Sequence, residues 1–333
     1  MAAVRRGRNV AGIMIALAAA LWLAPAAEAQ ITLRFSSSAP PADFLAKSMT
    51  VFKETLEQSA PGQFKVEVYP GNMLFRQGTE IPAMQRGNLD MSTGTTFEVA
   101  DQIPELGFFN RAYLFRDYDH LRKVYDGPLG AEYRKKVADK MGIEILAVAY
   151  LGTRQLALRK AMSVTGPQDL AGVKLRVPSG PEWQLLGQAI GTTPVPMAMA
   201  ETYLALKTGS VDGQDNPLSI FNAAKFYEVS EQVVLTAHMV QPVFIDIAKP
   251  VWDKLAPEQR QKVEAAAKAA QRSNDEARLA DEKQILAGLK TKGLTTTTVD
   301  LAPFRANADK VYATADLAKP WDRAMMQRVQ ETR

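Results

Sequence analysis

An α/β fold of two domains is predicted by three features of the sequence: strand-like and helix-like runs alternate, the length fits two domains, and one helix-forming stretch is long enough to reach across both. The chain has 333 residues, and a domain usually takes about 100–200. A hydrophobic fraction of 47% is enough for a packed core and excludes wholesale disorder.

The elements follow in order. Ile31 to Phe35 alternates as a strand. Phe44 to Gln58 sets Leu45, Met49, Phe52 and Leu56 at helical spacing. Phe64 to Tyr69 is a second alternating strand, closed by Pro70-Gly71, and Thr79 to Arg86 is helix-like, followed by Leu89 to Ser92. Asp119 to Met141 reads as a helix before the apolar strand Ile143 to Tyr150.

A second block starts near Gly152 with the strand Val173 to Val177. Pro181 and Gly191 punctuate the helix Glu182 to Ile190. Pro194-Val195-Pro196 leads into a helix over Ala200 to Lys207, and Val211 to Pro217 reads as a polar loop closed by another helix. Pro257 to Lys290 has no internal proline and is rich in Ala, Glu, Lys, Gln and Arg. As one helix it would reach about 50 Å. A coiled-coil arm, or a break near Arg272-Ser273-Asn274, would fit the composition, but heptads are not sustained and a helix lying across both domains is preferred. No linker separates the blocks, so the chain is expected to cross between domains several times.

The N-terminus carries an address. Arg5, Arg6 and Arg8 precede an uncharged run from Val10 to Ala24, and Ala27-Glu28-Ala29 has the small-x-small pattern of a cleavage site. Export with cleavage after Ala29 is expected, residues 1–29 being the signal peptide. The apolar run is shorter than the roughly 20 residues a spanning helix needs. Removing it takes away three arginines and Glu28, leaving 37 basic and 35 acidic residues. That balance gives no support for a nucleic-acid partner, and the mature chain reads as soluble.

Familiar catalytic chemistry is hard to find. There is no cysteine, and only His120 and His238, so thiol chemistry is excluded and a histidine-rich metal site is not available. No cofactor is implied and no metal site is expected. His120 reads as a surface or capping residue, His238 as a structural one at a strand end. Glu201 and Asp215 are not marked as an acid–base couple, so no catalytic residue is assigned and the protein is not expected to be an enzyme. The informative residues are Arg176, inside a strand between Leu175 and Val177, Arg154, after Gly152-Thr153, and Asn216, before Pro217. A charge in a strand is costly without a partner, whether an internal carboxylate or a ligand's. A guanidinium fork matches a carboxylate bidentately.

Four segments in order carry a resemblance: Tyr150-Leu-Gly-Thr-Arg154-Gln, Lys174-Leu-Arg176-Val-Pro178, Met197-Ala-Met-Ala-Glu201-Thr-Tyr203-Leu-Ala-Leu206 and Val211-Asp-Gly-Gln-Asp-Asn216-Pro217. With Tyr69-Pro-Gly71, Gly87-Asn-Leu-Asp90, Tyr113-Leu-Phe-Arg116-Asp117 and Asp126-Gly-Pro-Leu-Gly130, the chain resembles the DctP-type substrate-binding proteins of TRAP (tripartite ATP-independent periplasmic) transporters over about residues 31–300. The resemblance implies a periplasmic, monomeric solute receptor of the two-domain binding-protein fold, type II-like with mixed sheets, a hinge and a long helix spanning both domains. On that pattern residues 30–151 with 242–281 form the first domain, 152–241 with 282–333 the second, and the cleft lies between them. The arginine of the K-L-R-V-P motif, here Arg176, would hold a ligand carboxylate, assisted by Arg154 and Asn216. The closed form would dock on the small and large membrane subunits of the transporter.

The same comparison places Ser38, Thr95, Ser179 and Met199 at positions that shape specificity. Thr95 stands where sialic-acid-binding members have a carboxylate. Trp183, one turn into the following helix, would either stack on a ligand or pack in the core. A pocket with Thr95, Trp183 and Met199 suggests a small or aromatic monocarboxylate such as a hydroxy or keto acid. A C4-dicarboxylate or a sugar acid is the alternative. For a dicarboxylate, Arg76 and Arg86 are the available second cations. A ligand-presenting sensor subunit, or a lyase with an acid–base pair near Arg176, would share the architecture.

Overall fold

The computed structural model describes residues 30–333; the signal segment and the cleavage point after Ala29 lie outside them. The first half runs β1 (Ile31–Ser36), α1 (Phe44–Ser59), β2 (Phe64–Tyr69), α2 (Glu80–Gln85), β3 (Met91–Gly94), α3 (Thr96–Gln102), α4 (Tyr118–Asp126), α5 (Pro128–Met141) and β4 (Ile143–Leu158). The second continues with β5 (Lys174–Val177), α6 (Pro181–Ala189), β6 (Thr193–Pro196), α7 (Met199–Thr208), β7 (Gly213–Pro217), α8 (Leu218–Ala223) and β8 (Gln232–Ala248). After these come α9 (Lys249–Trp252), α10 (Pro257–Gly288), β9 (Thr295–Thr298), α11 (Ala302–Thr314) and α12 (Arg323–Glu331).

The described strands form one mixed sheet in the order β2-β1-β3-β8-β4-β7-β5-β6, with β9 beside β8. At one end β2, β1 and β3 are parallel; at the other β7, β5 and β6 are parallel. Between them β4 and β8, of 16 and 17 residues, run antiparallel along their whole lengths. Each parallel set with its helices makes a lobe, here lobe I and lobe II, and the β4–β8 ribbon belongs to both. Its register shifts between Tyr150 and Gly152 and again between Arg154 and Leu156. Such bulges bend and twist a strand pair. Gly152 adopts φ +124°, and a Cβ there would fall 2.4 Å from the Pro217 side chain, so only glycine fits at this crossing.

The long helix is continuous. α10 spans 32 residues, about 48 Å, and packs against α1 in lobe I, along β4, and against α8 in lobe II. Its alanines Ala266, Ala267 and Ala270 let it approach the lobe I core of Leu33, Phe35, Phe52, Val66 and Ile247. At the proposed break point it is tied down instead: Asn274 donates to the Tyr150 carbonyl at 2.8 Å and Asp275 accepts from the Tyr150 N–H at 2.7 Å. One turn on, buried Arg278 reaches Asp43, the residue that caps α1, and Ser219 of α8. The helix therefore clamps both lobes at the ribbon.

Four expectations change here. The strand expected to end at Tyr150 runs on to Leu158, placing Arg154 inside it, because apolar alternation resumes at Leu156 and Leu158. The helix expected over Asp119 to Met141 is two, divided at Gly127-Pro128, with Pro128 starting α5. The expected polar loop before Pro217 contains β7, all of whose residues are buried. His120 is also buried rather than superficial; its Nε2 bonds the Val329 carbonyl at 2.9 Å, fastening α12 onto lobe I. Among the described residues no helix is long and apolar enough to cross a membrane.

Candidate functional site

Between the lobes, beside the ribbon, lies a cavity that opens in part to solvent. Seven residues singled out from the sequence line it: Ser38 and Thr95 from lobe I, Arg154 from β4, Arg176 from β5, Trp183 from α6, Met199 from α7 and Asn216 from β7. The eighth, Ser179, lines an adjoining cavity beyond Trp183. β7 explains the convergence, since its neighbours are β4, which carries Arg154, and β5, which carries Arg176.

Arg154 is an internally balanced cation. Its Nε donates to Asp215 Oδ2 at 2.7 Å and one terminal nitrogen to Gln241 Oε1 at 2.7 Å. His238, in the middle of β8, bonds the same Asp215 oxygen at 3.0 Å through Nε2, and its Nδ1 meets the Thr236 hydroxyl at 2.8 Å. Burial lowers the His238 pKa, against the opposing pull of Asp215. The ring is therefore neutral, with Nε2–H as donor and Nδ1 as acceptor. Burial alone would raise the Asp215 carboxyl, but Arg154 and His238 outweigh it and hold it well below the usual carboxylate range. The charge at Arg154 is thus used within the protein.

Arg176 differs. Its relative exposure is only 1%, yet no carboxylate of the described residues lies within ion-pair distance. Nε donates to the Met197 carbonyl at 2.9 Å and one terminal nitrogen to Gln77 Oε1 at 3.1 Å; the other has only the Met199 sulfur, at 4.0 Å. Burial presses its pKa down to about 9, with Asp215 opposing, so it is still charged at neutral pH. A guanidinium offers five N–H donors in a plane. Here the terminal nitrogens keep donors free on the wall of a cavity.

Trp183 is buried in the core, one of the two ways expected, and does not offer a face for stacking on a ligand. Phe97 of α3 stacks on it with ring centroids 3.4 Å apart and planes 4° apart, and the Arg154 guanidinium lies 4.7 Å from its centroid. The indole joins α6 to lobe I and shields Arg154, leaving its edge to the cavity. Met199 starts α7 and donates its backbone N–H to Gln77 Oε1 at 2.9 Å. Asn216, also in the lining, donates its amide to Gln214. Thr95 caps α3 and hands its hydroxyl to Glu98.

Among the lining residues the sequence did not single out are Gln77, Gln241, Glu80 and Glu98. Gln77, in the loop after Pro70-Gly71, bridges to Arg176 and Met199 in the other lobe. Gln241 orients Arg154 and keeps its amide nitrogen without a partner. Glu80 and Glu98 add two acidic residues to the lining. Burial, aided by Glu98, raises the Glu80 pKa to about 7, and burial raises that of Glu98 as well. Only the loop position of Gln77, beside a Pro-Gly turn, offered any signal. Among the described residues no group of three or more His, Cys, Asp or Glu is arranged to hold a metal ion.

Residues 35–317 match the model of DctP, the bacterial extracellular solute-binding protein family 7. The sialic acid-binding periplasmic protein SiaP of Vibrio cholerae is 28% identical over 89% of this chain and 92% of its own length. The C4-dicarboxylate-binding periplasmic protein DctP of Rhodobacter capsulatus is 30% identical over 86% of each. A TRAP periplasmic solute binding protein of Roseobacter denitrificans, solved with bound 3-deoxy-D-manno-oct-2-ulosonic acid, has a TM-score of 0.87 at 38% identity, covering 90% of this chain and 99% of that one. The chain therefore belongs to the DctP family of TRAP transporter solute-binding proteins.

Proposed function

We propose that this chain is exported, loses residues 1–29, and acts as a monomeric periplasmic receptor that binds an organic monocarboxylate through Arg176, closes around it and delivers it to the TRAP membrane subunits. The observation that carries the reading is the unbalanced guanidinium of Arg176 on the cavity wall. Burying a cation without a counter-ion costs several kcal/mol, and a ligand carboxylate is the partner that offsets it. Arg154, held by Asp215, and Asn216 frame the same end of the cavity. The relatives named above, which bind sialic acid, a C4-dicarboxylate and an ulosonic acid, share carboxylates as their common chemistry.

Closure follows from differential binding. Arg176 belongs to lobe II, while Gln77, which already touches it, belongs to lobe I. A carboxylate on Arg176 whose remaining atoms meet Ser38 or Thr95 ties the lobes together. The register shifts of the β4–β8 ribbon near Tyr150 are the natural hinge. A second carboxylate finds little welcome: Arg76 is engaged by Glu201 at 2.6 Å, and Arg86 does not line the cavity. An aromatic ligand cannot stack on Trp183, whose faces are taken. A hydroxy or keto acid fits best.

A thermal-shift screen of the mature protein against organic acids, with R176A as control, tests the reading. A ligand at 100 times its dissociation constant adds about 2.7 kcal/mol of stability. Shifts with carboxylates in the wild type and none in R176A are expected, with the ligand recovered unchanged. Equal shifts in R176A would overturn the assignment, and a converted ligand would favour a lyase.

A further inference from the structure

Three carboxyls of lobe I gather with no cation to balance them. Glu80 on α2 and Glu98 on α3 line the cavity. Asp246 of β8 is buried outside the lining, pressed against Gly94, where a Cβ would fall 2.2 Å from its Oδ2. Glu98 is close enough to repel both of the others. Among the described residues no lysine, arginine or histidine lies within ion-pair distance of any of the three. Asp246 Oδ1 and the Tyr133 hydroxyl of α5 are buried without a hydrogen-bond partner, and the field of Asp246 and Glu98 falls on that hydroxyl. The surrounding charges bring no relief. Asp101, one turn along α3, adds repulsion on Glu98. Arg76 and Glu182 border Glu98 through the adjoining cavity, but Arg76 is engaged by Glu201. Arg154 and Arg176 line the cavity from lobe II, the first held by Asp215. Like charges at one buried site do not all ionise, and such groups titrate together. Burial above all, then repulsion from a neighbouring carboxyl, raises all three pKa values, that of Glu80 to about 7.

We propose that the receptor binds a proton together with its acid: as the ligand carboxylate enters the cavity, an ionised carboxyl of the Glu80–Glu98 pair takes a proton from solvent, and it returns that proton when the acid leaves. This rests on the receptor reading above and adds how the site is regulated. Two effects drive the uptake. The ligand brings a negative charge into a space that already holds two acidic groups, and closure removes water that solvates them. Arg176 offsets the new charge at its own end but pairs with neither glutamate. Asp246, outside the lining and raised well above the carboxylate range, keeps its proton throughout. By linkage, uptake on binding means that affinity rises as pH falls. Half a proton taken up per ligand changes the dissociation constant about threefold per pH unit. The window is about pH 6 to 8. Below it the ligand carboxylate itself begins to protonate, and above it Arg176, pressed down to about 9, loses its charge.

The test is calorimetry on the mature protein with lactate, pyruvate, pantoate, D-erythronate and L-galactonate. The tightest binder is followed at pH 6, 7 and 8 in buffers of low and high ionisation enthalpy, and the dependence of the heat on the buffer counts the protons taken up. Uptake of about half a proton at pH 7, with a dissociation constant rising about threefold per pH unit, is expected in the wild type. E80Q and E98Q are each expected to reduce the uptake, and the double variant E80Q/E98Q to abolish it and leave the affinity flat from pH 6 to 8. D246N, which replaces a carboxyl that stays neutral, is expected to retain it. Binding without uptake in the wild type overturns the proposal and leaves the receptor reading standing, as does uptake that persists in E80Q/E98Q. Full affinity in R176A, or no binding by any of the five acids, overturns the proposal together with the reading on which it rests. Unliganded melting temperatures verify that each variant is folded, and the wild-type heats count the proton without any variant.

Discussion

Arg154 and Arg176 flank the same strand, β7, and are almost equally buried, yet their surroundings are opposite. Around Arg154 the protein has assembled a carboxylate, a neutral histidine and an amide, so the cation is balanced by Asp215 and shielded by Trp183. Around Arg176 it has placed a carbonyl, an amide and a sulfur, none of them charged. Two arginines of one cleft thus teach a rule that composition cannot: a buried charge with its counter-ion inside belongs to the fold, and one without it awaits a partner. Breaking each in turn separates the two roles.

The largest effect is expected at the balanced site. R154A leaves Asp215 buried with only a neutral histidine beside it, and removing one partner of such a pair costs about 3–5 kcal/mol. Chemical or thermal denaturation of the unliganded protein measures the loss; a variant as stable as the wild type would erase the distinction. At the unbalanced site the effect moves from folding to binding. R176A removes a cation that is costly to bury, so unliganded stability is expected to hold or rise. Affinity for the best acid falls at least about 100-fold, or about 2.7 kcal/mol. R176K is expected to recover little, because a point charge does not copy the fork. A stability loss in R176A matching that in R154A would place both arginines in the fold.

The same contrast explains what could be read from the sequence. α1, β1 and β2 were legible because burial on one face leaves a periodic apolar pattern, and the long α10 because its composition favours helix and no proline interrupts it. Arg176 was legible because a charge between Leu175 and Val177 violates that pattern. β7 was not, since Gln214, Asp215 and Asn216 look like loop residues until their partners arrive from β4 and β8, far along the chain. The break at Gly127-Pro128 was signalled by a Gly-Pro pair, but amphipathic spacing on both sides hid it. Glu80 and Glu98 lie on short helices where carboxyls usually face solvent, and only the closeness of the second lobe turns them into cavity walls. The Phe97–Trp183 stack joins residues of different lobes and has no local trace.

Carboxyls offer a second version of the comparison. Asp215 is buried with a cation, whereas Glu182 at the start of α6 is buried with no ion-pair partner among the described residues. Burial, with Asp101 of α3 adding repulsion, raises its pKa to about 8. Such a carboxyl is neutral in the folded protein at pH 6.5, and its contribution to stability is lost as pH rises through about 8. The unfolded chain, ionised above about pH 4.3, is increasingly favoured as pH rises from there to about 8, and the loss levels off once both states are ionised. Wild-type melting temperature is therefore expected to fall between pH 6.5 and 9.5, and Glu80, raised to about 7, pulls the same way. E182Q removes the Glu182 share of that fall, about 2 kcal/mol between pH 6.5 and 9.5. A pH profile unchanged by E182Q would show that this carboxyl is relieved by water.

The smallest effects are expected at two contacts that cross the cleft mouth one residue apart. Arg76 pairs with Glu201 where both are well exposed, and exposed pairs are worth about 0–1 kcal/mol and fade with salt. R76A should weaken acid binding no more than about fivefold, with the difference vanishing at high ionic strength. Gln77 makes two hydrogen bonds to lobe II, one from Arg176 and one from the Met199 N–H. Q77A leaves the Met199 N–H unmatched and lets the guanidinium swing. Affinity is expected to fall about five- to tenfold, independent of salt, at roughly 1 kcal/mol for a neutral hydrogen bond. Tighter binding in Q77A would mean that the amide competes with the ligand for Arg176, and the latch across the cleft would then be a brake on loading.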